Sequence, residues 1–239
     1  MTDEIRARLV EWAAKYNDPA YFQEDPISFP REFLRRGCDM RDVEVAAIFA
    51  AHFAWGRRAM IVRDSGRLFD EMEWRPFEYV MAGAYRDDAA SIHRTVKWSE
   101  IAAICGRLRE WYSCHDSLES LRAEDFRTVV FGQKENPKAA NKKIHMMRRW
   151  LVRCDGRVDL GIWKATSPAE LLMPLDVHVH RQALALGLTK RKQEDIQTVR
   201  EITAAFAEIF PGDPVRGDFA LFGYGVSGGE SSAEIDGDR

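Results

Sequence analysis

The stretch DVEVAAIFAAHFAWGRRAMIV, residues 42–62, constrains the fold more than any other part of the chain. Placed on a helix, it is apolar on most sides, and a helix that is hydrophobic all round has to be covered all round. It reads as a central buried helix with a break near Gly56, and the remaining segments supply the cover. Residues 2–16 set Ile5, Leu9, Trp12 and Ala13 on one face at the i, i+4, i+7, i+8 spacing. Residues 99–114 and 138–153 repeat the amphipathic pattern, and residues 195–210 align Ile196, Val199, Ile202, Phe206 and Ile209. Ser167-Pro168-Ala169-Glu170 carries a capping box with proline at the first helical position, and Asp213-Pro214 opens a last helix in the same way. Strand signals are confined to TVVFG at 128–132 and RVDLGIW at 157–163, with loops expected at 18–40, 84–97, 132–137 and 154–167. The fold class this implies is all-α.

Several classes of function are excluded by what the chain lacks. No apolar run approaches the ~20 residues needed to cross a bilayer. The first helix mixes acids and bases, unlike a signal peptide, so a cytoplasmic protein without membrane contact is expected. Cys38, Cys105, Cys114 and Cys154 are scattered with no C-x-x-C pair, so neither a cysteine-held metal nor any other cofactor is expected. The net charge of −3 hides a strong asymmetry: residues 134–153 hold seven lysines and arginines against one acid, Glu135. The final run, SGGESSAEIDGDR (227–239), is small, polar and acidic, and reads as a disordered tail. Residues 1–226 then form a single helical domain.

Two residues carry the chemistry in this reading. In PLDVHVHRQALALGL (174–188), Asp176 stands at the mouth of a short helix ending at Gly187. Its plain role is an N-cap, accepting a hydrogen bond from a first-turn N–H that has no partner within the helix. In KAANKKIHMMRRWLVR (138–153), the apolar stripe runs through Ala140, Ile144, Met147, Trp150 and Leu151. At 100° per residue, Lys142 falls roughly 140° from Met147, on the outward side with Lys138, His145 and Arg149. Cations around an amine disfavour its charged form and favour a nucleophile. Lys143 lies at the edge of the stripe and is the alternative nucleophile.

A helix-borne lysine followed 34 residues later by a capping aspartate resembles the helix–hairpin–helix DNA glycosylase superfamily. Asp176, Val177, His178, Arg181 and Leu186-Gly187 are similar to its aspartate block, and residues 48–64 resemble the long helix beneath its base pocket. The usual Gly-x-Gly hairpin before the lysine is missing and the lysine-to-aspartate gap is longer. In this the chain is similar to the archaeal 8-oxoguanine DNA glycosylases. The blocks NKKIHMMRRWLVR, VDLGIW, PLDVHVHR and DPVRGDFALFGYGV resemble, more closely still, a bacterial family related to them. The resemblance spans roughly residues 25–226. It implies two helical lobes with a cleft between them, an altered hairpin, a monomer, and damaged duplex DNA as partner. It further implies Lys142 as the nucleophile on the sugar and Asp176 as the ionised stabiliser. Lys138, Lys143, Arg148, Arg149 and Arg181 would then meet phosphates.

Other residues have plainer readings alongside their functional ones. Phe53, Trp55 and Tyr224 are base-stacking candidates that suit core packing better. Arg57 and Arg58, next to Gly56, are phosphate contacts or a solvated surface. His178 and His180 diverge by 200° on a helix, which disfavours joint metal binding. Asp159 and Trp163 have no role legible from the sequence.

Overall fold

Turn geometry divides the central apolar segment, because Gly56 takes φ +101°, a conformation that L side chains rarely adopt. The computed structural model describes residues 2–227, and the expected acidic tail beyond Ser227 lies outside them. In chain order the described residues form α1 (Asp3–Tyr16), α2 (Ser28–Arg35), α3 (Met40–Phe53), α4 (Arg58–Glu71) and α5 (Pro76–Ala82). A two-stranded antiparallel hairpin follows, β1 (Ser91–His93) and β2 (Val96–Lys97), in register Ser91 to Lys97. Then come α6 (Trp98–Tyr112), α7 (Phe126–Val129), α8 (Lys142–Val152), α9 (Val177–Ala185), α10 (Ile196–Ala207) and α11 (Gly217–Ser227). The chain is mostly α, as its periodicity implied.

Two units form, each from discontinuous stretches. Among the described residues, the first takes 2–21, 138–149 and 166–227; the second takes Phe22–Pro137 and Trp150–Ala165. In the first, α1 packs closely on α11. A Cβ at Gly223 would come within 2.3 Å of the Tyr16 ring, so only glycine permits the approach. Around it, Trp12 meets Tyr224 with ring centroids 5.5 Å apart, and Tyr16 meets Phe222 at 5.6 Å.

The second unit is built on α3, which is buried at every position from Val43 to Phe53. One of those positions is charged. The Glu44 carboxylate accepts from Trp163 Nε1 at 2.6 Å, Ser117 Oγ at 2.5 Å, Tyr112 Oη at 2.8 Å and the Leu118 amide at 3.1 Å. Four donors from three segments thus converge on one side chain, which makes the burial of a carboxylate tolerable.

The segment 157–163 expected as a strand forms none: it bends at 157–159 and turns at Gly161, whose φ is +59°. Its backbone caps a helix instead. Leu160 N donates to Trp150 O at 2.7 Å and Trp163 N to Leu151 O at 2.8 Å, satisfying carbonyls that the end of α8 leaves without helical partners. Within the same strap, Asp159 pairs with the buried Arg153 at 2.5 Å. This gives Asp159 and Trp163 their roles: one neutralises the cation that follows α8, the other ties the strap to α3.

Other boundaries also differ from expectation. TVVFG begins in α7, and the observed strands lie in the expected 84–97 loop. The hairpin is only five paired or near-paired residues long, too short for a periodicity signal. The expected 18–40 loop contains α2, because Pro30 sits in its first turn, where no helical hydrogen bond is lost.

Replacing Glu44 by leucine strands the Trp163, Ser117 and Tyr112 donors in the core. Urea denaturation should show a loss of about 3 kcal/mol or more, and Glu44→Gln, which keeps one acceptor oxygen, should lose less.

Candidate functional site

The site begins with the turn before α8. The helix was expected from residue 138 but starts at Lys142, because Lys138–Asn141 pairs elsewhere. Ala139 bridges Asp195, and Ile196 N donates to Lys138 O at 3.0 Å, which ties this stretch to the start of α10. Asn141 then turns the chain with φ +48°. Asparagine visits the left-handed region more readily than other non-glycine residues, so AANKK makes this turn without glycine. Lys142 is therefore the first residue of α8 rather than one in its second turn.

Asp176 caps α9 as the sequence suggested. Its Oδ1 accepts from the His178 amide at 3.0 Å and the Val179 amide at 2.9 Å. Its other oxygen, Oδ2, meets Lys142 Nζ at 3.0 Å. The two oxygens divide their work: one holds the carboxylate on the helix, the other faces the amine. Both side chains keep partial access to solvent, 32% for Lys142 and 27% for Asp176. Burial by itself raises the Asp176 carboxyl, but the charge of Lys142 and the Val179 amide outweigh it and hold the group below the ordinary carboxylate value. The acid is ionised at neutral pH.

A second capping aspartate in the same unit offers a comparison. Asp195 caps α10 through Oδ1, taking the Gln197 and Thr198 amides at 3.0 Å each, and its Oδ2 meets Arg191 at 2.7 Å. That pair is local, four residues apart, and its cation is a guanidinium that does not act as a nucleophile. In the Asp176 pair the partner is a primary amine brought from 34 residues away.

The expected ring of cations around Lys142 does not form. Arg149 is buried, ion-paired to Asp218 and stacked over the Phe219 ring with its Cζ 4.6 Å from the centroid. An internal ion pair of this kind leaves it unsuited to the phosphate contact expected of it. His145 is likewise buried, with Nε2 lacking a hydrogen-bond partner among the described residues. Burial, helped by the charge of Arg148, lowers its imidazole to about 4, so it is neutral at pH 7. Helical geometry placed both on the side away from the Met147 stripe; α8 is instead covered on that side too, by α11 at Arg149. Ile144, Met147, Trp150 and Leu151 are buried as expected.

The remaining expected residues separate into surface and core. Lys138 and Arg181 are exposed, and Lys143 and Arg148 are half-buried. Phe53 is wholly buried and stacks on His93 at 5.1 Å, so it serves the core of the second unit rather than a base pocket. Trp55 is half-buried under Arg94, 4.5 Å from ring centroid to guanidinium. His180 turns inward to the Arg191 carbonyl at 2.8 Å, while His178 is exposed beside Arg181. The two histidines do not converge, and no group of three or more His, Cys, Asp or Glu able to hold a metal ion occurs among the described residues.

One family model matches most of this chain, over residues 25–134 and 124–227. The chain belongs to DUF2400, a family described as proteins of unknown function. No curated protein and no solved structure gives a significant match. Lys142 and Asp176 both fall in the second segment matched by the DUF2400 model, and Glu44 falls in the first. The features sequence reasoning missed here were Asn141 and Glu44. Each left a signal: an asparagine directly before a helical lysine, and a lone acid inside an apolar run.

Two acid-induced losses of stability follow. Asp176 has a lowered folded value, so its contribution is complete above pH ~4 and is lost as pH falls through that lowered value. His145 acts at higher pH. Between about 6.5 and about 4 only the unfolded chain takes up its proton, so stability falls across that window. In urea denaturation at a series of pH values, His145→Phe should flatten this fall, which reaches at most about 1.4 kcal/mol per pH unit. An unchanged slope would contradict the buried neutral imidazole.

Proposed function

We propose that this protein is a DNA glycosylase with abasic-site lyase activity, acting on a damaged base in duplex DNA through Lys142. The observation that carries the reading is the 3.0 Å contact between the Lys142 amine and the free oxygen of the Asp176 cap. The resemblance of the lysine and aspartate blocks to the glycosylase superfamily supports it, and the likeness to the archaeal 8-oxoguanine enzymes favours an oxidised purine.

The chemistry proceeds from these two groups. The Lys142 ammonium releases its proton to solvent as substrate enters, leaving the amine lone pair free, while Asp176 stays ionised beside it. The target nucleotide is extruded from the duplex, since the sugar carbon cannot be reached within the stack. The amine attacks C1′ and the bond from C1′ to the base nitrogen breaks. The base departs with that electron pair and takes a proton from solvent. Positive charge developing on the sugar faces the carboxylate, which two backbone N–H groups hold in place. Opening of the sugar ring gives a Schiff base between Lys142 and C1′, and elimination of the 3′ phosphate follows from it. Lys138 and Arg181, exposed in the same unit, supply phosphate contacts.

The Arg191–Asp195 pair favours a second reading, because it holds the same geometry for structure alone. On that reading the Lys142 pair is also architectural, and the protein binds damaged nucleic acid without reacting.

Borohydride trapping separates the two. On duplexes carrying 8-oxoguanine or an abasic site, the wild-type chain should give a covalent adduct, lost in Lys142→Ala and retained in Lys143→Ala. Asp176→Asn keeps an N-cap side chain yet should slow trapping by about 100-fold or more. Loss with Lys143→Ala alone would move the nucleophile by one residue. DNA binding with no adduct on either substrate would leave the binder.

A further inference from the structure

The second unit carries a concentration of arginines that the chemistry above does not use. Residues 55–67, WGRRAMIVRDSGR, hold four arginines and one acid in a chain of net charge −3. Arg57, Arg58, Arg63 and Arg67 are all exposed, along the first three turns of α4 and the turn before it. A fifth, Arg94, comes from the tip of the β1–β2 hairpin.

The acids near them are already engaged. Asp64 is buried, with Oδ2 on His93 Nδ1 at 2.8 Å and Oδ1 facing Arg63. His93 Nε2 in turn faces the Trp55 carbonyl at 3.0 Å. With Oδ2 taken by His93, Asp64 offers only Oδ1 to Arg63 at 2.9 Å and Arg67 at 3.4 Å, one carboxylate oxygen between two guanidinium groups. Asp25 lies 3.6 Å from Arg58, a loose pairing.

Arg94 is held in place at a cost. Its φ of +51° is left-handed, a conformation that costs a residue with a Cβ about 1–2 kcal/mol and that glycine or asparagine would adopt more cheaply. Its guanidinium lies over the Trp55 ring. A Cβ on Gly56 would stand 2.7 Å from Arg94 Nη1, so the glycine clears its path. Arg67 Nη1 reaches the Ile92 carbonyl at 3.2 Å, fastening α4 to the hairpin. The arrangement is planar-headed and positive, which suits phosphate recognition. Nine residues apart, Arg58 and Arg67 stand at opposite edges of the side of α4 that is not buried, about 14 Å apart along its axis, with Arg63 between them.

We propose that Arg57, Arg58, Arg63, Arg67 and Arg94 form a binding surface for the phosphate backbone of duplex DNA. The choice of DNA as the polyanion rests on the repair reading above; the surface itself rests on its own geometry.

The test is the salt dependence of binding to a short undamaged duplex, read by fluorescence anisotropy on the full chain. Replacing Arg57, Arg58 and Arg94 together by glutamine should reduce the log–log salt slope by about 0.9 for each phosphate no longer neutralised, and weaken binding at low salt by about tenfold or more. Arg57→Glu alone should act in the same direction. Arg57 makes no ion pair among the described residues, and unchanged thermal unfolding would show the fold intact. A slope that ignores both variants overturns the inference. So does loss of binding to phosphatidylserine vesicles with an unaltered duplex slope, which would mark a membrane surface instead. A wild-type chain that traps no adduct yet shows the arginine-dependent slope keeps this surface and removes the catalytic reading. Trapping with an arginine-independent slope does the reverse.

Discussion

A carboxylate inside an apolar helix is the constraint on which much of the second unit depends. Glu44 is surrounded by α3 residues that exclude water, so its charge has to be met by protein donors or not be there at all. Meeting it draws together the end of α6, the turn at 117–118 and Trp163. Trp163 belongs to the strap whose backbone caps the last turn of α8. One polar side chain in the wrong-looking place thereby ties a sheetless segment to a helix end. Hydrophobic contact, being non-directional, would not select those partners.

At the candidate site a similar economy operates on a single residue. The cap and the chemistry proposed for Asp176 use different oxygens of one carboxylate, so neither role excludes the other. The backbone amides fix the side chain and keep it ionised, and a fixed anion is the form that stabilises charge without reorganising. Asp195 provides the measure of how much of this is ordinary helix capping. The two caps share their backbone geometry and differ in the cation that completes them: a local guanidinium in one, a distant amine in the other.

The differences between expectation and structure share a cause. Helical phase around α8 gave the direction of each side chain from the helix axis, and for Ile144, Met147, Trp150 and Leu151 that was enough. It placed His145 and Arg149 outward because they lie away from the Met147 stripe, whereas the helix is covered on more than one side. Which side of a helix meets solvent depends on its neighbours, and Arg149 is buried because α11 brings Asp218 and Phe219 to it. The short hairpin is too short to carry a period, and the strap at 157–163, read as a strand, sends its hydrogen bonds to a helix end instead.

By itself, then, the sequence determined the all-α class, the break at Gly56, the capping role of Asp176 and the presence of a helix bearing Lys142. These follow from local preferences: apolar period, backbone freedom of glycine, and the fit of a short acid to an open helix end. Only the tertiary structure decided that the Lys142 amine meets the outer oxygen of Asp176, that Arg149 and His145 lie inside, and that Arg94 comes to lie over Trp55. Contacts between residues tens of positions apart depend on where whole elements come to rest, and no local pattern in the chain encodes that distance.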